Sequence, residues 1–435
     1  MNSGTTTIPS GELARPGLSN LDIGKTLFSL YLFFLPFTNV FVISIGFPLK
    51  ISEMLLFVLI FLRIIRPVGK VRIPNRMSDI FICLAFFTAT ALVSTLVNSF
   101  WSYDYELNYY ADPRIGYGFE SYLKLFYVIL SVLSFFLIRV NLPVDAKHYL
   151  KVFLWGGLAA ALFCWYLFFS TFLHYTPQFF NGSDEPHQTM GIPFIGEFYR
   201  SGTFREGNHM GLFLLVCVFV AHQMRSKLTA VFALTIITTF STPAIFGCLS
   251  YFLVYFIWSS IRRGAYLRLI LLGFLFAAGT TFVFSNELVR SFTLNKIMES
   301  DESAESYSKY DRLDLITTSA RIGAVNPVLG VGLSNFSLHY KEYATDIEKT
   351  SELKRIVNNV YLEIFCELGI VALVLFLAFI ILIFSRIPKF KSRLGFFVFL
   401  VYLNVYPTFT LLFLWFFLAA LACFRERDFY LSNKM

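Results

Sequence analysis

Asn359-Val360-Tyr361-Leu362-Glu363-Ile364-Phe365-Cys366-Glu367-Leu368-Gly369-Ile370-Val371-Ala372-Leu373-Val374-Leu375-Phe376-Leu377-Ala378-Phe379-Ile380-Ile381-Leu382-Ile383-Phe384 is an apolar run, followed at once by Ser385-Arg386-Ile387-Pro388-Lys389-Phe390-Lys391-Ser392-Arg393. A run that can cross a hydrocarbon core of about 30 Å needs roughly 20 apolar residues, and this one is long enough. The basic segment behind it marks the end that stays in the cytoplasm. Working outward, the same alternation recurs along the whole chain. Only 15% of residues are charged and 56% are hydrophobic, far from the roughly 25% charged residues of soluble domains. The mean hydropathy is +0.64.

The pattern predicts an all-α polytopic membrane protein with about twelve spans. The spans fall near Thr26–Ile45, Ile51–Ile65, Ile80–Val97, Tyr122–Ile138, Tyr149–Leu173, Asn208–Met224, Leu228–Phe240, Ala244–Ile261, Leu267–Phe284, Asn359–Phe384, Leu394–Tyr406 and Thr408–Phe424. Every second connection is basic: Arg63 to Arg76, Arg139 to Lys151, Arg225 with Lys227, Arg262 to Arg268, and Arg386 to Arg393. These place both termini in the cytoplasm, with a tail at 1–25, one membrane domain at 26–424 and a second tail at 425–435. The polar segments near 175–207 and 286–358 then become large outer loops. The net charge of +8 is an orientation signal, and nucleic acid is not needed to explain it. The first apolar run lacks a small-residue cleavage pattern and reads as an uncleaved anchor. All six cysteines fall inside predicted helices, with no disulfide or metal spacing, so neither metal nor cofactor is expected.

On the outer side, Trp101, Tyr103, Tyr105, Tyr109, Tyr110 and Tyr117 stand beside Asp104, Glu106, Asp112 and Arg114. Such rings suit stacking on a sugar, but an interfacial aromatic belt is the leading reading. The stretch Arg200-Ser201-Gly202-Thr203-Phe204-Arg205-Glu206-Gly207-Asn208-His209 runs into a helix start. Two guanidinium groups and free helix N–H groups can hold a pyrophosphate; the same residues also suit tight turns facing lipid headgroups. Next, Asp311-Arg312-Leu313 opens an amphipathic stretch with Leu313, Ile316, Ala320 and Ala324 on one stripe, packing on the membrane domain or lying at its surface, bordered by Arg312 and Arg321. A Pro327 turn with Gly330 and Gly332 follows. Glu363 and Glu367, four apart, share a helix face and sit at a depth where a charge needs a partner. That partner is expected to be an arginine of the loops, or a proton.

The order Arg200-x-Gly202-x-Phe204-x-x-x-Asn208, then Arg312, then Pro327-x-x-Gly330-x-Gly332, then Asn359-x-Tyr361-Leu362-Glu363 with Glu367-x-Gly369 resembles the O-antigen polymerase and O-antigen ligase superfamily. The resemblance covers the chain from Arg200 to Leu382. It implies a GT-C-like glycosyltransferase of the bacterial inner membrane, working at the periplasmic face without a cofactor. It implies undecaprenyl-pyrophosphate-linked oligosaccharides as donor and acceptor, membrane lipid as surroundings and, as an optional partner, a chain-length regulator.

Pyrophosphate develops charge as it leaves, and arginines are the available donors: Arg200 and Arg312 first, Arg205 and Arg321 behind them. Gly202, Asn208, Gly330, Gly332, Asn358, Asn359, Tyr361 and Glu367 are supporting residues. A base must take the acceptor's proton, and His339, His209, Glu206 and Glu363 are the candidates. Ligases of this superfamily typically carry a His just before the tenth-helix Asn, where this chain has Asn358, which cannot accept a proton at neutral pH. Polymerase therefore leads over ligase, and a lipid-linked oligosaccharide flippase is the reading from another class. Ser241-Thr242-Pro243 stands where relatives place a Ser-Arg pair, so one customary arginine is absent.

Overall fold

In the computed structural model, the described residues are 18–44, 48–65, 78–99, 117–179, 187–192, 196–268, 270, 272, 274, 304–344 and 355–423. Most of the predicted span Leu267–Phe284, the aromatic stretch from Trp101 to Arg114, the basic loop from Arg66 to Arg76, residues 1–17 of the first tail and the whole second tail lie outside them. Of Tyr117, only the backbone is described.

Thirteen helices are described. They are α1 (Leu18–Phe34), α2 (Ile51–Ile65), α3 (Ser78–Ser99), α4 (Tyr117–Asn141), α5 (Ala146–Leu173), α6 (Gly207–Gln223), α7 (Leu228–Thr238), α8 (Thr242–Arg262), α9 (Ala304–Val325), α10 (Phe336–Tyr343), α11 (Val360–Phe384), α12 (Phe390–Tyr402) and α13 (Leu412–Cys423). Two short antiparallel hairpins accompany them: β1 (Val42–Ser44) with β2 (Pro48–Lys50), and β3 (Thr189–Ile192) with β4 (Gly196–Tyr199). Five helices are long and apolar enough to cross a membrane: Ser78–Ser99, Phe119–Val144, Ala146–Leu173, Thr242–Arg262 and Val360–Phe384. The chain is an all-α, multi-pass membrane protein.

Several predicted spans shift. The first helix ends at Phe34, because Pro36 cannot continue it, and Val42–Ser44 forms a strand where helix was expected. The last predicted span begins only at Leu412. Pro407 lies ahead of it, and Thr410 N–H bonds to Thr408 Oγ1 at 3.3 Å, a local turn that competes with helix. At 1.5 Å per residue, the 11 residues of α7 and the 12 of α13 are each under about 20 Å long, short of the hydrocarbon core.

Burial explains how short helices persist. Every residue of α13 is buried, as is nearly all of α6; helices apolar all round belong in a core. Phe153 of α5 stacks on Phe416 of α13 at 4.1 Å, and Phe135 of α4 meets Trp415 edge-on. The longer helices surround them and turn apolar side chains outward, among them Trp155, Leu162, Phe246 and Leu249, as a lipid-facing layer requires. None of the six cysteines forms a disulfide, and all are buried.

α11 is broken inside its span. Gly369 has φ 81° and ψ −178°, a conformation essentially confined to glycine. A Cβ there would lie 2.1 Å from Val328 O. The turn from Pro327 to Gly332 fills the gap: Val331 N–H donates to Cys366 O at 2.9 Å, Gly332 N–H to Glu367 O at 2.8 Å, and Ile370 N–H to Pro327 O at 2.7 Å. Ser94 of α3 donates to Leu329 O at 2.5 Å and to Glu367 O at 3.1 Å. Backbone opened at this depth is tolerated because protein groups re-satisfy it.

Candidate active site

Arg200 follows β4, which is held by pairing with β3 from Thr189↔Tyr199 to Ile192↔Gly196. Its guanidinium is half-buried against the start of α6. Arg200 Nε donates to Thr239 O at 3.1 Å, and Nη2 donates to Asn208 Oδ1 at 3.3 Å and Phe240 O at 3.4 Å. Gly207 makes this approach possible: a Cβ on it would lie 2.4 Å from Arg200 Nε and 2.7 Å from Thr239 O. Gln188 adds a clamp, accepting from Arg200 N–H at 3.0 Å and from Gly207 N–H through its Oε1 at 3.0 Å.

Asn208 links this arginine to two hydroxyls. Ser241 Oγ donates to Asn208 Oδ1 at 3.0 Å and lies 2.9 Å from Tyr402 Oη, which itself donates to Asn208 O at 2.9 Å. Ser241, flagged by the sequence for a missing arginine beside it, is thus a polar member of the cluster. It also precedes α8, where Pro243 sits in the first turn, a position Pro favours.

Arg312, on α9, lies within electrostatic range of Arg200 and Tyr402. Both Arg200 and Arg312 act electrostatically on the Tyr402 hydroxyl, and on each other. Burial holds Arg200 below the ordinary guanidinium value; Tyr402 and Glu206 act in the opposite sense, and Arg312 adds to the lowering. An arginine so shifted is still a cation. Segments more than a hundred residues apart in sequence therefore bring two guanidinium groups within electrostatic range of the Tyr402 hydroxyl.

The other candidates divide. Glu206 precedes α6 without capping it through its side chain and acts electrostatically on Arg200, His209 and Tyr406. His209 packs edge-on against Tyr406, ring centroids 4.9 Å apart, with Nε2 buried and without a hydrogen-bond partner. Arg205 is exposed and acts on His209. Gly202 is buried at φ 56° in the turn between Arg200 and α6, against Cys164 Sγ.

Arg321 is drawn elsewhere: its Nη1 donates to Tyr343 O at 3.3 Å, tying α9 to the end of α10. His339 lies on α10, with Nδ1 3.7 Å from Glu342, and burial lowers its pKa. Gly330 and Gly332 belong to the turn that fills the α11 break. Asn359 caps α11, its Oδ1 accepting from Tyr361 N–H at 3.0 Å and Leu362 N–H at 3.1 Å. Asn358 stands half-buried before it, and Tyr361 Oη donates to Leu400 O at 2.9 Å.

Two expectations are corrected. Among the described residues, the cation that pairs with Glu363 and Glu367 is not a loop arginine. It is Lys124 of α4, whose Nζ lies 2.7 Å from Glu363 and 2.5 Å from Glu367. Both carboxylates reach one ammonium because four residues make about one turn. The buried stripe of α9 is also different: Leu315, Thr318, Ser319 and Ile322 are buried, while Leu313 and Ile316 are exposed and so is Ala324. Small residues win this face because α11 packs closely on it; a Cβ on Gly323 would lie 2.5 Å from the Phe365 ring.

Sequence reading did not single out Tyr402, Lys124 or His187. Tyr402 is one of 23 tyrosines and lies in an apolar stretch that gave no reason to choose it. Lys124 was a lone charge near the start of a span, a usable signal since such a charge needs a partner. His187 is buried between Asn39 (3.4 Å) and Ser201 (2.9 Å) and stacks on Phe179 at 4.2 Å. Burial pushes its pKa down to about 4, so it holds the loop as a neutral ring.

Residues 227–377, about a third of the chain, match the family model described as O-antigen ligase. The match contains Arg312, the Pro327 turn and the Glu363–Gly369 segment, and Arg200 precedes it. This domain supports the O-antigen polymerase and ligase superfamily that the motif order resembles. Its coarse functional class is a glycosyltransferase-like membrane enzyme of O-antigen assembly, acting on lipid-linked saccharides. No curated protein matches the chain.

Proposed function

We propose that this protein is a polymerase of O-antigen or a related surface polysaccharide, seated in the bacterial inner membrane with the Arg200 cluster at the periplasmic face. It transfers the growing glycan from undecaprenyl pyrophosphate to a sugar hydroxyl of the incoming lipid-linked repeat unit. The convergence of Arg200 and Arg312 beside Tyr402 is the observation that carries this reading. As the acceptor oxygen attacks the anomeric carbon, the bond from that carbon to the pyrophosphate oxygen breaks. The two guanidinium groups then meet the charge that develops on the leaving group. Glu206, half-exposed beside Arg200, is the base that takes the acceptor's proton, with His209 the second choice. A single displacement of this kind inverts the anomeric centre.

Asn358 favours polymerase over ligase, since a ligase of this superfamily would place a histidine there. The break in α11 is a feature shared with transporters, but here the chain's own Pro327 turn fills it, which counts against the flippase reading. Purified protein given lipid-linked repeat units alone should produce a ladder of longer lipid-linked glycans. Product formed only when lipid A core is added would instead make the protein a ligase, and transbilayer movement without any ladder would make it a flippase.

A further inference from the structure

A cavity of about 1910 Å³ lies at the end of the bundle opposite the Arg200 cluster. α6 starts beside Arg200 and ends at the cavity wall with His222 and Gln223; α12 starts in that wall at Phe390 and ends at Tyr402. The 17 residues of α6 separate the two sites by roughly 25 Å at 1.5 Å per residue.

Its wall is strongly basic. Lys147 and Lys151 come from the start of α5, Arg225 from the turn after α6, and Lys389 and Lys391 from the start of α12. Arg262 and Arg393 also line it. The single carboxylate in the wall among the described residues, Asp145, already accepts the His148 backbone N–H at 3.2 Å. Lys391 Nζ donates to His222 O at 3.0 Å and Gln223 O at 3.3 Å, closing the C-terminal end of α6, where cations are favoured. Trp258 stacks on Phe390 at 4.3 Å, and Arg262 lies over Trp258 at 5.3 Å.

An orientation signal requires only that basic residues sit in loops on one side. It does not require four loops distant in sequence to turn them into one hollow, where like charges repel one another. An apolar surface adjoins the hollow. Trp155 lines the cavity and is exposed, as are Leu162 and Phe169; spaced by seven, they run down one side of α5.

We propose that this cavity binds the phosphate-bearing headgroup of an anionic phospholipid, with the acyl chains lying along the exposed side of α5. Guanidinium and ammonium groups supply the phosphate contacts, and Trp155 stands where headgroup meets hydrocarbon. The assignment is independent of the reaction proposed for the other end.

The test titrates the detergent-purified full chain with dioctanoyl phosphatidylglycerol, dioctanoyl phosphatidylcholine and inorganic phosphate, following tryptophan fluorescence. Saturable binding of the phosphatidylglycerol, at least about tenfold tighter than either other probe, is expected. A Lys151→Gln, Arg225→Gln double variant should weaken it about tenfold or more, and a Lys151→Arg, Arg225→Lys variant should keep it, both with unchanged melting temperature. Arg200→Ala should leave it untouched. Equal affinity for the two lipids, or full affinity in the Gln variant, overturns the proposal. Inorganic phosphate binding as tightly as phosphatidylglycerol also overturns it, in favour of a soluble anion.

Discussion

Arg200 and Lys124 are both cations withdrawn from water next to apolar helices, and they are held by opposite means. Among the described residues, Arg200 donates its guanidinium hydrogen bonds to neutral oxygens: Thr239 O, Asn208 Oδ1 and Phe240 O. Lys124 is gripped by two carboxylates, Glu363 and Glu367, and both of these are almost fully buried. Neutral partners orient a guanidinium without cancelling its charge, so the charge remains available to an anion. Two carboxylates around one ammonium consume it. The comparison separates a group arranged for a ligand from a group that fastens α4 to α11 beside the break at Gly369.

The largest effect should come from breaking the second arrangement. Lys124→Ala leaves two buried carboxylates without their cation and should cost about 3–5 kcal/mol of stability, read as a lowered melting temperature in detergent. Adding Glu363→Gln and Glu367→Gln to that variant should recover most of the loss. No recovery would mean that Lys124 stabilises by packing and not by pairing.

Breaking the first arrangement should act on rate. Arg312→Ala should reduce ladder formation by about 10²–10³-fold with little change in melting, because the exposed Arg312 side chain holds little in place. Arg200→Ala should lose as much activity and also about 1–2 kcal/mol of stability through its hydrogen bonds to the α7–α8 connection. Full activity in either variant would remove that arginine from the site.

Gly369→Ala sharpens the role of the break. With φ in the glycine-only region and Val328 O in the way, it should cost about 1–3 kcal/mol, while Gly24→Ala, which meets nothing within 4 Å, should be neutral. Equal melting of the two variants would show that α11 closes into a continuous helix at little expense.

The smallest effect is a pH dependence. His187 titrates at about 4 when folded against 6.5 as its ordinary value, so between these the unfolded loop binds a proton that the folded loop does not. Loop stability should therefore fall as pH drops from about 6.5 toward 4, seen as faster hydrogen exchange around Arg200. His187→Gln should flatten that dependence, and an unchanged slope would assign it to another group.

Hydropathy and the basic connections determined that this is a membrane-embedded helical protein, because apolar length and loop charge are local properties of the chain. Eleven of the predicted apolar stretches overlie described helices, although Pro36 and Pro407 moved their ends. Short motifs were also enough to mark Arg200, Arg312 and the Pro327 turn, since guanidinium and glycine chemistry are written in single residues. Only the tertiary structure decided which of these meet. It linked Tyr402 and Ser241 to Arg200 through Asn208, set Arg312 within electrostatic range of Tyr402, and sent Arg321 to Tyr343. It gave Glu363 and Glu367 to Lys124, and it gathered basic residues from four connections around one hollow. Contacts between distant segments depend on how helices pack, and packing is fixed by side-chain shape and by satisfying buried polar groups in three dimensions, which no local pattern encodes.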